Sequence, residues 1–143
     1  MAKITTTFID GWPIMAPLGR REHAMLTSQL LGDEAVLGQV IGTFAQAVIA
    51  TDRRVLILKA GATSGQVFGG RTTSFAYADI ASIDLRARIA EGDFEILTGD
   101  STVNSWDTRR INLAEQPNGV VFSKLDRDAF SVMAAKIRQQ SGL

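Results

Sequence analysis

The chain has 143 residues, and its fifteen lysines and arginines are balanced by fifteen aspartates and glutamates, giving a formal net charge of zero. That length suits a single domain with a real core, and the missing basic excess argues against a nucleic-acid binder and against purely electrostatic docking on anionic membranes. With no cysteine and one histidine, His23, disulfides, cysteine-ligated zinc, thiol catalysis and a His-rich metal site within one chain are excluded.

Residues 1–18 carry Phe8, Ile9, Trp12 and Ile14, but Gly11, Pro13, Pro17 and Gly19 interrupt any period. They read as an extended arm or loose strand that needs a surface to lie on. The opening MAKITTTFIDGWPIM has one early lysine and no apolar run of about 7–15 residues, so no signal peptide is expected. No apolar stretch approaches the 18 or so residues of a membrane span, and a soluble cytoplasmic chain without a transmembrane segment is the expectation. From Arg20 to Leu31 good helix formers dominate, with Gly32 placed as a C-terminal cap.

From Glu34 to Phe122 the chain becomes a series of short β-prone runs, predicted at 35–44, 46–50, 54–59, 66–77, 80–89, 93–98, 109–113 and 119–123. Two of them are the most informative. TDRRVLILK, residues 51–59, reads as a tight turn feeding a buried strand. FAYADIASIDLRARI, residues 75–89, alternates strictly: Ser82, Asp84, Arg86 and Arg88 are polar, and Ile83, Leu85, Ala87 and Ile89 are apolar. A period of two marks a half-buried strand. Short strands at even spacing, with no helix between them, predict an antiparallel sandwich or barrel. The last element is a helix. Phe130, Met133, Ala134 and Ile137 recur at i, i+3, i+4 and i+7, Ser123 and Asp126 approximate a capping box, Arg138 suits the helix dipole, and Gly142 is placed to stop it.

Gly32-Asp33-Glu34 before the first strand, ATDRRVLILKAG, the Gly-rich VFGG and FAYADIASIDL together resemble the bacterial pleckstrin-homology-like family, in particular its YokE-like branch. LGRRE ahead of them and NGVVFSK before the last helix fit the same pattern. The resemblance covers roughly residues 19–140. It implies a mainly β fold: a PH-like barrel of about seven antiparallel strands in two near-orthogonal sheets, capped by the C-terminal helix. A short N-terminal helix precedes it. The expected organisation is an arm, 1–18, followed by a PH-like domain, 19–143.

The residues that could carry chemistry are few. Gly61, Gly65, Gly69 and Gly70 suggest a phosphate loop, but GATSGQVFGGRTTS has Arg71 where a Lys-Ser pair belongs and runs into a strand. A bulged hairpin explains them better. Asp52, Asp79, Asp84 and Asp93 show no sign of converging into a catalytic pair, and His23 has no evident partner. No enzyme and no cofactor is expected. In eukaryotic members of the wider superfold, inositol lipids are bound by basic residues in the loop joining the first two strands. Here that loop, about Gly42 to Ala47, has no lysine or arginine. Arg71, Arg86 and Arg88 are the candidate anion-binding residues, with a solvated polar face as the plainer reading. Phe8, Trp12, Ile14 and Trp106 are candidate interface residues, since tryptophan is common at interfaces as well as in cores.

The expected function is a non-enzymatic module acting through protein–protein association, as a homo-oligomeric scaffold or with another protein. Unpaired strand edges, zero net charge and the apolar arm point that way. The resemblance adds that some bacterial relatives assemble into rings, which implies a cyclic homo-oligomer. The alternative is a binder of an anionic small ligand or lipid head group at a membrane surface.

Overall fold

The computed structural model describes residues 3–60, 70–99 and 117–143. Residues 3–18, expected as an extended arm or loose strand, form a β-hairpin, β1 (Thr5–Ile9) and β2 (Trp12–Ala16), with Thr5 opposite Ala16 and Ile9 opposite Trp12. Asp10 (φ 55°) and Gly11 (φ 84°) both sit in the left-handed region, as a two-residue type I′ turn requires and as Asp-Gly favours. Pro13, which reads as a breaker, lies inside β2 opposite Phe8. With Ile9 and Trp12 closing the two-residue turn as a hydrogen-bonded pair, Phe8 and Pro13 form a non-bonded pair, so the missing N–H costs that ladder nothing.

Helix α1 (Arg20–Gln29) follows, and it ends earlier than Gly32 suggests. Leu30 is already extended (ψ 135°), and its N–H bonds back to Leu26. Four strands come next: β3 (Val36–Ile41), β4 (Gln46–Thr51), β5 (Arg54–Lys59) and β6 (Arg71–Ala76). They join the hairpin in one sheet of order β1-β2-β3-β4-β5-β6, antiparallel except where Ile14 of β2 meets Gln39 of β3 in parallel. A 3-10 turn at Tyr77–Asp79 leads to β7 (Ile80–Ala87), β8 (Glu91–Thr98) and β9 (Gly119–Ser123), a separate antiparallel sheet. The expected strand at 109–113, and the start of the one at 66–77, lie outside the described residues.

Among the described residues the two sheets are not closed into a barrel. They meet at a corner, where Thr43 donates its backbone N–H (2.8 Å) and its hydroxyl (3.2 Å) to the Val121 carbonyl. Gly42 fits there because a Cβ would collide with that same carbonyl oxygen and with Val120. Helix α2 (Arg127–Gln140) closes the chain after a second 3-10 turn, Lys124–Asp126. Ser123 caps this turn, accepting the Leu125 N–H at 3.2 Å, whereas the Asp126 side chain makes no capping bond to α2. Arg138 donates to the Ile83 carbonyl at 2.6 Å, tying α2 to β7. Gly142, at φ 78°, ends the helix.

Two apolar layers hold this together. The main core lies among both sheets and α2: Trp12, Met15, Val48, Val55, Ile57, Ile83, Phe94, Phe122, Phe130 and their neighbours. A smaller cluster of Leu26, Ala47, Ile49, Leu56 and Leu58 lies under α1. Alternate residues of β4 and β5 therefore enter opposite layers. This is why TDRRVLILK is apolar without alternating: a strand covered on both faces has no polar face to show.

Candidate functional site

An outermost strand keeps a row of backbone N–H and C=O groups free to pair with another chain. Among the described residues β1 pairs only with β2, so it is an outer strand of the six-stranded sheet, and all five of its residues are exposed. Its sequence, Thr5-Thr6-Thr7-Phe8-Ile9, contains no charge, proline or glycine, the features that usually blunt an edge. Ile4, Phe8 (56% exposed) and Ile9 add apolar surface along it.

The rest of the hairpin is anchored inward. Trp12, 6% exposed, belongs to the main core, and the Lys136 ammonium of α2 sits 5.5 Å from its ring centroid. Met15 is buried and its carbonyl accepts from Gln39 Nε2 at 2.7 Å. Of the candidate interface residues, Phe8 is open to a partner, Ile14 is half-buried and Trp12 packs inside its own subunit. Trp106 lies outside the described residues.

The three named arginines occupy different surroundings. Arg71, on β6, stands opposite Lys59 in the register. Lys59 is buried and donates to Gln46 Oε1 at 3.0 Å. Burial, and then the like charge of Arg71, pushes its ammonium down to about 7. Arg88 is engaged by Asp93 at 2.7 Å and Glu91 at 3.7 Å, while burial pushes the Asp93 carboxyl up despite Arg88 and Arg86 beside it. Arg86 lines a cleft of about 200 Å³ with Leu85, Ala87, Phe122, Arg127 and Ser131. Arg127 is the residue sequence reading misses: nothing in a helix's first turn announces that it lines the same cleft as a strand arginine. Beside this cleft Ile89 (94% exposed) and Leu125 (85% exposed) project into solvent. Bonds from Lys124 N to the Ala90 carbonyl and from Arg127 Nη2 to the Arg88 carbonyl hold their segments together.

The acidic residues have structural surroundings. Asp52 Oδ1 accepts the Ala35 N–H, Asp84 lies opposite Glu95, and Asp79 lines a shallow cleft with Ala78, Thr98 and Gly99. Glu34 is buried and bound at both oxygens. Arg54 Nε reaches Oε2 at 2.8 Å and Nη2 reaches Oε1 at 2.9 Å, and the Thr51 hydroxyl and Leu31 N–H complete the set. These donors, Arg54 first, hold the Glu34 carboxyl down at about 2. Among the described residues no group of three metal-ligating side chains forms, and no helix is long and apolar enough to cross a membrane.

A comparison with protein families matches residues 26–113, more than half of the chain, to the bacterial PH domain. The chain belongs to that family. No curated protein and no solved structure matches it. In this PH domain the β3–β4 loop, Gly42-Thr43-Phe44-Ala45, holds no lysine or arginine. Phe44 and Ala45 both adopt left-handed backbone (φ 56° and 57°), and Phe44 is exposed. The hairpin β1–β2 lies before the matched segment, and α2 lies after it.

Proposed function

We propose that this bacterial PH domain is a non-enzymatic interaction module that works through protein–protein association, with further copies of the same chain as its first partner. The observation that carries this is β1, an exposed, uncharged strand with its outer edge open among the described residues. A partner strand added there gains main-chain hydrogen bonds along its length, and Phe8 and its apolar neighbours supply side-chain contacts. The hairpin lies before the segment matched to the family. Zero net charge leaves no overall repulsion between copies.

Light scattering over a range of concentrations tests it. The purified chain is expected to show a mass above its 15.4 kDa, and Phe8→Lys, which puts a charge on the edge, is expected to return it to monomer. A wild-type monomer at the highest concentration overturns the reading. Deleting residues 1–18 is a poor substitute, because it strips Trp12 and Met15 from the core.

A second reading has its own observation. The Arg86–Arg127 cleft beside the projecting Ile89 and Leu125 suits an anionic lipid head group, with the two aliphatic side chains entering the bilayer interface. Sedimentation with phosphatidylglycerol vesicles at low salt is expected to retain the protein, and Arg127→Ala to weaken retention. Absence of retention removes this reading and leaves the first untouched.

A further inference from the structure

The turn at Asp10-Gly11 determines which backbone groups β1 offers. A two-residue turn makes Ile9 and Trp12 a hydrogen-bonded pair, and bonded and non-bonded pairs then alternate along the hairpin. Ile9, Thr7 and Thr5 direct their N–H and C=O groups at β2. Ile4, Thr6 and Phe8 direct theirs outward, opposite or adjoining Met15 and Pro13 at the non-bonded positions. The free edge thus presents every second residue of one apolar-threonine face.

We infer that two copies of this chain pair β1 against β1, antiparallel, about a two-fold axis at Thr6. The inference rests on the association reading above and deepens it by naming the partner strand and its register. Residues directly opposite in an antiparallel pair project on the same face, and a two-fold axis normal to the sheet preserves the face. The axis must therefore pass at a residue and not between two. Placed at Thr6, it sets Ile4 against the partner's Phe8, Thr6 against the partner's Thr6, and Phe8 against the partner's Ile4. All three are bonded pairs, and two of them join exposed apolar side chains. Placed at Thr7, it sets Ile4 against the partner's Asp10, whose left-handed turn conformation takes it out of the ladder, so only two bonded pairs survive against three.

Charge favours the same partner. Residues 4–9 carry none, Lys3 and Asp10 bracket them, and the Thr6 axis brings Lys3 beside the partner's Ile9 and Asp10 at both ends. The contact is isologous, so it closes as a dimer with a twelve-stranded sheet and does not propagate into a ring. A contact of one short strand falls in the size class of reversible interfaces, and the dimer is expected to be concentration-dependent.

The chain has no cysteine, which makes cross-linking selective. Across a bonded pair the Cα atoms are about 5.5 Å apart, within disulfide reach. Thr6→Cys is expected to form a disulfide-linked dimer on mild oxidation. Ile9→Cys, about 20 Å from its symmetry mate at ~3.3 Å per residue, is expected not to. Thr6→Pro removes an outward N–H while leaving the β1–β2 ladder intact, and is expected to weaken dimerisation at least tenfold with an unchanged circular dichroism spectrum. Association without a Thr6→Cys cross-link, equal linking at Ile9→Cys, or an assembly larger than twice 15.4 kDa overturns the two-fold pairing and leaves the association reading standing. A wild-type monomer overturns both.

Discussion

Phe130→Ala is expected to destabilise the fold by about 3–5 kcal/mol, the range for deleting a fully buried aromatic side chain. Phe130 lies on α2 with no exposed surface. Its ring stacks on Phe122 of β9 at 4.2 Å and 13°, and meets Phe94 of β8 edge-on at 6.0 Å and 68°. One substitution thus opens a cavity and removes two aromatic pairs, each worth about 0.5–1.5 kcal/mol beyond the area buried. The loss falls where α2 holds the three-stranded sheet to the rest of the core. Phe130→Leu keeps most of the volume and is expected to cost much less, about 1–2 kcal/mol. Urea unfolding followed by circular dichroism reads both through the midpoint at constant slope. A cost below about 1 kcal/mol for alanine would mean that α2 does not pack on β8 and β9 as described.

The α2 residues that set this effect are legible in the sequence, because Phe130, Met133, Ala134 and Ile137 repeat with the helical period and all four are buried. The strands are legible for a related reason. The run at 54–59 coincides with β5, and those at 80–89 and 93–98 recover β7 and β8 to within a few residues. Periodicity fails where burial stops following it. The alternation of residues 82–89 continues through Ile89, yet β7 ends at Ala87 and Ile89 stands in the turn almost wholly exposed. The N-terminal hairpin shows the opposite failure. Pro13 and Gly11 read as punctuation, although one occupies a non-bonded ladder position and the other completes a type I′ turn. Only the pairing partner reveals that, and pairing is not local.

The same distinction governs the candidate sites. Phe8 was open to sequence reading because a large apolar residue in an uncharged, threonine-rich run attracts notice. Trp12 attracts the same notice four residues later, yet it is buried in the main core with the Lys136 ammonium over its ring. Composition cannot separate the two. Arg86 was legible as a polar-face residue, but its companion Arg127 comes from another element, 41 positions later, and topology alone sets them on one cleft. The two proposed readings, association through an edge and anion capture in a cleft, therefore depend on contacts of long sequence separation. The fold class depends mainly on short ones.

Arg54→Ala is the other substitution with a large expected effect, about 3–5 kcal/mol, because it strands a buried carboxylate. The Glu34 side chain has no exposed surface and Arg54 keeps only 20% of its own. Arg54 also donates to the Gln29 carbonyl at 2.7 Å, so the pair clips the end of α1 and the loop before β3 onto β4 and β5. Lysine cannot replace it, since the bidentate fork and the Gln29 bond both need the guanidinium. Replacing both partners together, Glu34→Leu with Arg54→Leu, is expected to cost less than Arg54→Ala alone, because no charge is left unpaired. The pH dependence has a definite sign. The Glu34 carboxyl titrates at about 2 in the folded chain against an ordinary value of 4.5, so its folded form binds a proton less readily than the unfolded chain does. Its contribution is fully present above about pH 4.5 and is lost as pH falls toward 2. In Glu34→Gln that part of the acid dependence disappears. Urea stability measured from pH 2 to 6 on both proteins reads the difference directly, and parallel curves would show that Glu34 is not held ionised by Arg54.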